Sequence, residues 1–306
     1  MLLPATTVSL IGAPTDVGAS VRGAGMGPDA LRVAGLVEAL HARGLAVLDL
    51  GNLSGPPTPW TPPEAGVRHL PEVIAWNRAV FDAVSDVLGA GQVPLLMGGD
   101  HCVAIGSISA VARHCRARGR NLRVIWFDAH TDVNTEAISP SGNLHGMPVA
   151  CLLGHGPAAL VGWSGERAAI GPKAIGFIGI RSVDADEKEA IRQLGLQVFD
   201  MRHIDEHGMR TTMAEALHDV YEDTHLHVSF DLDCLDPADA PGVGTGVRGG
   251  PTYREMQLCM EMIADTGALG SLDVVELNPA RDLRNRTAEV AVELIRSLFG
   301  ASTLTR

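Results

Sequence analysis

The chain has 306 residues, 46% of them hydrophobic and 20% charged, with 36 Asp and Glu against 24 Lys and Arg and a formal net charge of −12. Dilute charges among abundant aliphatics exclude a disordered chain. The negative balance gives no electrostatic support to a nucleic-acid or anionic-membrane surface. Five cysteines, widely spaced and without a Cys-x-x-Cys pair, exclude a disulfide framework and fit a reducing, cytoplasmic compartment.

In chain order, MLLPATTVSL lacks a basic segment and reads as a first strand rather than a signal peptide. Apolar runs of strand length fall at 8–12, 46–50, 93–97, 122–127, 174–180, 197–200, 226–230 and 272–276. Between most of them lie helical patterns, at 30–41, 73–88, 105–117, 187–194, 212–221, 253–263 and 288–298. Short continuous apolar runs alternating with helices predict an α/β fold with a mostly parallel, roughly eight-stranded sheet covered on both faces. The uncharged stretch 137–165 is no membrane span, because Pro140, Pro148, Pro157 and several glycines interrupt it. The proline-rich stretch 55–63 is too short to separate domains and reads as a rigid surface loop. The expectation is a single domain over residues 1–306.

The chemistry follows the strands. Gly98-Gly99-Asp100-His101-Cys102 comes after 93–97, and Asp128-Ala129-His130-Thr131-Asp132 after 122–127. Asp231-Leu232-Asp233-Cys234 comes after 226–230, and Glu276 closes the last run. Ligands bind open α/β sheets at this carboxyl rim. In extended chain, residues two apart share a face, so Asp128, His130 and Asp132 can converge, as can Asp231 and Asp233. Four buried carboxylates resist ionisation together unless cations compensate them. Two divalent ions would balance four Asp charges, with His101 and His130 as neutral ligands. An oxygen-rich set with two imidazoles suits manganese better than zinc. A lone Asp at a strand end is an ordinary cap, but such residues in three same-face clusters are not. Cys102 and Cys234 beside them read as small buried residues. The glycine-rich run 242–250 lacks the Gly-Lys-Ser/Thr ending of a phosphate loop and reads as a backbone turn near the site.

Gly98-Gly99-Asp100-His101, Asp128-Ala129-His130-Thr131-Asp132 and Ser229-Phe230-Asp231-Leu232-Asp233, in this order, resemble the ureohydrolases, the arginase and agmatinase enzymes. The likeness runs from Gly12 to Glu276. It implies a three-layer α/β/α domain with two Mn2+ per chain. His101, Asp128, Asp132 and Asp231 would hold one ion, and Asp128, His130, Asp231 and Asp233 the other, with Asp128 and Asp231 bridging. In such enzymes a manganese-bridging hydroxide attacks the guanidinium carbon and yields urea and an amine. Two ions acidify water enough for that near neutral pH. By the same resemblance Glu276 orients the guanidinium and His145 transfers protons. The positions of Asn134, Ser141 and Asn143 match those that recognise the α-carboxylate in arginases, and Asp184 lies where an acid meets the α-amino group. Two departures stand out, Cys102 where Ser is commoner and Ser182 where some arginases carry an acid.

The expected reaction is therefore hydrolysis of L-arginine to L-ornithine and urea, in a homo-oligomer (a trimer or hexamer by resemblance). An agmatinase or another guanidino or formimino hydrolase is the alternative enzyme. An inactive, metal-binding regulatory subunit is the alternative of another class.

Overall fold

The computed structural model describes residues 6–60 and 67–304. Eight strands form one sheet: β1 (Thr7–Gly12), β2 (Ala46–Asn52), β3 (Val93–Met97), β4 (Asn121–Phe127), β5 (Ile175–Ile180), β6 (Gln197–Asp200), β7 (Thr224–Asp231) and β8 (Leu269–Val275). Their order is β2-β1-β3-β8-β7-β4-β5-β6, and every pairing between them is parallel. The chain leaves β3, skips two places to lay down β4, and later returns with β7 and β8 to fill the gap. The four central strands β3, β8, β7 and β4 thus end side by side where the winding reverses, which is the rim where such sheets bind ligands.

Helices cover both faces. On one side lie α1 (Gly27–Val33), α2 (Leu36–His41), α7 (Met201–His207), α8 (Met209–Ala216), α9 (Tyr253–Thr266) and α10 (Arg286–Leu298). On the other lie α3 (Leu70–Gly89), α4 (Ala104–Ala117), α5 (Pro148–Leu152) and α6 (Ala185–Leu194). Alternation along the strands sorts the core between them. In β4, Ile125 and Phe127 face the first layer while Val124 and Trp126 face the second. No described helix is long and apolar enough to cross a membrane.

All eight expected strands form, most within one or two residues of the expected bounds. The helices depart in four places. The pattern at 30–41 is two helices, because Gly35 between α1 and α2 adopts φ 83°, a left-handed conformation that glycine takes at little cost. The pattern at 212–221 is helical only to Ala216. Leu217 and Val220 pack against the core from the turn beyond it, so apolar character outlasts the helix. The short helices α5 and α7 span too few turns to register as a periodic pattern. Of the proline-rich stretch, residues 55–60 run as loop with Trp60 exposed, and residues 61–63 lie outside the described residues.

One face of the central strands is polar rather than apolar. His225, His227 and Ser229 of β7 and Ser271 and Asp273 of β8 are buried beneath α4. Ser271 Oγ lies 2.8 Å from both His225 Nε2 and His227 Nδ1, and Ser107 of α4 donates to Asp273 Oδ1 at 2.6 Å. Most of these atoms hydrogen-bond one another, as buried polar groups require, while His227 Nε2 and Asp273 Oδ2 stand 3.4 Å apart without a hydrogen-bond partner. The same file of side chains, continued two residues along β7, reaches Asp231 at the rim.

Candidate active site

After β3 the backbone passes so close to Thr15 that a Cβ at Gly99 would fall on the Thr15 carbonyl. The Asp100 carboxylate then caps the following turn, accepting from Cys102 N–H at 3.0 Å and Gly18 N–H at 2.7 Å. Burial and the Glu276 charge push Asp100 up to about 6. This turn delivers His101, which is 1% exposed. Its ring stacks on Trp126 with centroids 4.0 Å apart, and its Nε2 lies 2.9 Å from Ser229 Oγ. With Nε2 so engaged, Nδ1 is the atom left facing the site. It stands 3.1 Å from Asp231, 3.2 Å from Asp128 and 3.3 Å from Asp132, yet it is buried with no hydrogen-bond partner.

Asp128 stands between the two histidines. Its Oδ2 accepts from Trp126 Nε1–H at 2.9 Å and lies towards His101, and its Oδ1 is 3.3 Å from His130 Nδ1. His130 Nδ1 is 3.2 Å from Asp233 Oδ2. Asp233 is held in turn by Ala129 N–H and by the Thr245 hydroxyl, and Asp231 accepts from Asp233 N–H. Two groups of donor atoms result, His101/Asp128/Asp231 and Asp128/His130/Asp233, each within 4.8 Å, with Asp128 common to both. Asp132 joins the first through its approach to His101. It adopts φ 52° and Glu276 φ 62°, both left-handed for residues other than glycine, the kind of local strain that persists when surrounding contacts over-determine it.

The electrostatics of this cluster point to cations. Burial and neighbouring carboxylates push Asp132 and Asp231 well above the usual carboxylate range. Burial also opposes ionisation of Asp128, but the adjacent His101 and His130 imidazoles outweigh it and hold it low. Burial disfavours charge on His130, and Asp233 and Asp128 overcome that to raise it. Carboxylates this crowded need positive charge among them, and an imidazole nitrogen without a hydrogen-bond partner, aimed at three of them, is placed as a metal ligand. The residues fit a pair of divalent cations with mostly oxygen and some imidazole ligands.

Beside this cluster a cleft of about 200 Å³ is lined by His130, Asp132, Asp231 and His145, and by the expected substrate residues Asn134, Ser141, Asn143 and Asp184. Glu276 lies behind His145, 2.9 Å from its Nδ1, and also accepts from His101 N–H at 2.8 Å. Burial opposes its charge, but His145 keeps Glu276 below its ordinary range. Asn134 gives one Nδ2 hydrogen to Asp184 at 3.1 Å, and its Oδ1 is buried without a partner. Ser139 and Ser141 accept from the backbone N–H groups of Gly142 and Asn143, which leaves their hydroxyl hydrogens to donate elsewhere.

Sequence reasoning missed Glu187 and Thr245, both in the cleft wall. Glu187 accepts from Thr131 Oγ1–H, Val133 N–H and Asp184 N–H, so it joins the metal-side loop to Asp184. The Asp-x-x-Glu spacing of a capping box, Asp184 to Glu187, was the signal for it. Thr245 sits in the glycine-rich turn and carries no such signal. Cys102 and Cys234 are fully buried, and burial raises both thiols far above their ordinary value.

The Arginase family model matches residues 6–300. The chain belongs to the arginase family. It is 45% identical over 296 residues to the arginase of Bacillus caldovelox, covering 96% of this chain and 98% of that one. It is 44% identical over 299 residues to the arginase of Brevibacillus brevis, covering 97% and 99%. The solved native structure of the B. caldovelox arginase superposes with a TM-score of 0.92 at 43% identity, over 98% of this chain and 100% of that one. The same three-layer architecture therefore carries the strand-end cluster of this family member.

One test of the cluster concerns its outer support. Ser229 fixes which nitrogen of His101 faces the carboxylates, so Ser229→Ala is expected to weaken divalent-cation affinity by about 10–100-fold, the usual cost of losing such a partner. Titration of the metal-free protein with Mn2+ reads this directly, and unchanged affinity removes Ser229 from the site.

Proposed function

We propose that residues 1–306 form one ureohydrolase domain that hydrolyses L-arginine to L-ornithine and urea with two Mn2+ ions. The observation that carries this reading is the adjacency of two kinds of surface. The cation cradle of His101, Asp128, His130, Asp132, Asp231 and Asp233 adjoins a cleft with hydrogen-bond donors at Ser139, Ser141 and Asn143 and acceptors at Asn134 and Asp184. An amino-acid end needs both, donors for its carboxylate and acceptors for its ammonium. Five cysteines, all free and buried, support a reducing, cytoplasmic setting, and likeness to the family supports a homo-oligomer, a trimer or hexamer.

Asp128 takes the central place, one oxygen towards each histidine, and Asp231, 3.1 Å from His101 Nδ1 and bonded to Asp233 N–H, would help to hold the pair. When bound, the metal pair acidifies water enough to supply a hydroxide nucleophile near neutral pH. Glu276 stays ionised, with Oε1 occupied by His101 N–H and His145, so Oε2 is left to receive and orient the guanidinium. His145 Nδ1 is tied to Glu276, so its Nε2 is the atom that exchanges a proton with the cleft. That proton goes to the departing amine nitrogen, so guanidinium, hydroxide and this proton together give urea and the amine as its ammonium form, and the neutral imidazole regains a proton from solvent.

Urea release from a panel of guanidines, with Mn2+ present, tests the assignment. L-arginine is expected to exceed agmatine in kcat/KM by at least about 100-fold, below the ~10⁴ of a fully buried recognition site because water can enter this cleft. Comparable values on the two substrates remove the arginase assignment and leave a broader ureohydrolase.

A further inference from the structure

Arg68 lies outside the cleft wall, yet it is tied to that wall twice. Its backbone N–H donates to Gly142 O at 2.8 Å, and its side-chain Nε–H donates to Asn143 Oδ1 at 2.8 Å. The second bond decides an orientation. A guanidinium only donates, so the Asn143 atom that faces it must be the carbonyl oxygen. The amide nitrogen is then turned to the opposite side, where one hydrogen goes to Ser20 Oγ at 3.1 Å and the other remains. Asn143 is 8% exposed and lines the cleft, so that hydrogen belongs to the donor side of the site. Without Arg68 the amide could turn over, presenting a carbonyl where an anion must bind.

Charge adds to orientation. Outside the carboxylates that a cation pair would balance, the cleft and its neighbours hold Asp184, Glu187 and Glu276, while the donors at Ser139, Ser141 and Asn143 are neutral. A substrate carboxylate entering such a site meets repulsion that neutral donors offset only in part. Arg68 places a permanent positive charge directly behind one of those donors and polarises its amide through a charge-assisted bond.

From this geometry we propose that Arg68 is a specificity-determining positioning residue, which acts through Asn143 to favour guanidines bearing an α-carboxylate over decarboxylated ones. The inference rests on the arginase reading of the cleft. Arg68 touches neither the metal cradle nor His145, so it bears on how the amino-acid end is held and not on the bond that breaks.

Arg68→Met keeps the aliphatic stem and removes every donor, whereas Arg68→Lys keeps a cationic donor. With the Mn2+-loaded protein, Arg68→Met is expected to raise KM for L-arginine about 10-fold with kcat within about two-fold, the size of effect that losing one charge-assisted hydrogen bond brings. The agmatine kcat/KM stays as it was, and Arg68→Lys recovers most of the arginine KM. The ratio of the two substrates within one preparation cancels any inactive fraction. A second arm needs no turnover: calorimetric binding of L-ornithine should weaken about 10-fold in Arg68→Met while binding of putrescine does not change. Equal losses for both members of either pair, or a fall in kcat at constant KM, overturn the proposal. A native enzyme that prefers agmatine overturns the arginase reading instead, and the ornithine and putrescine arm still reports on Arg68.

Discussion

Asp128→Asn is expected to lower Mn2+ content below two per chain and to cut urea release by more than about 100-fold. Removing even an outer partner of a metal ligand commonly costs 10–100-fold, and Asp128 stands closer than that. Its Oδ1 faces His130 and its Oδ2 faces His101, at 3.3 and 3.2 Å, so one substitution touches both halves of the cradle. An amide is neutral and offers one acceptor oxygen in place of two, which removes a unit of compensating charge and one of the two facing atoms. The fold should survive, because the backbone N–H of Asp128 pairs with Ile178 O whatever the side chain. His101→Asn provides the contrast: His101 belongs to one donor group only, so it should weaken one ion chiefly. Metal analysis after gel filtration separates the two cases. Full occupancy in the Asp128→Asn protein removes the bridging assignment.

The positions of the acids and histidines were legible because chemistry in this architecture sits where apolar runs stop. Asp128 follows Val124–Phe127, a run of buried aliphatic and aromatic side chains, and Asp231 closes a strand whose other face is Leu226, Val228 and Phe230, so acids at the end of such runs mark the rim. What surrounds them was not legible. Trp126 and Ser229 occupy ordinary core-facing positions within β4 and β7, and only the pairing of those strands, Trp126 opposite Ser229, brings both to His101. Arg68 is seventy-five residues from the Asn143 it bonds, a distance over which no local pattern speaks. The polar file His225, His227, Ser229 and Asp231 had a visible period of two, which reads as one face of a strand. Which face was buried under α4 is a property of the sheet order, and the skipped places between β3 and β4 carry no local signal. Helix ends were lost for a simpler reason. Gly35 and the turn after Ala216 interrupt the backbone without interrupting the apolar pattern.

His145→Asn is expected to lower turnover by about 10²–10⁴-fold, the range for a general acid–base group, with metal content unchanged. The residue hangs from the turn 144–146, anchored by its backbone N–H to Gly18 O at 3.2 Å. Its ring spans the distance between Glu276 and the cleft. Burial disfavours its charged form, but Glu276, ionised and 2.9 Å from Nδ1, more than offsets that and raises its proton affinity. A raised imidazole retains a proton into the neutral range and can still release it to a departing amine of higher basicity. Asparagine is the right replacement because its amide can donate to Glu276 as Nδ1–H does, while lacking any atom that exchanges a proton at Nε2. Glu276 therefore keeps a partner, His101 keeps the Glu276 carboxylate on its backbone N–H, and the cradle is left intact. Small imidazoles added in solution should restore part of the lost turnover if the missing step is proton transfer. Loss of manganese in this variant, or turnover within a few-fold of the native protein, assigns His145 to structure and removes it from the chemistry.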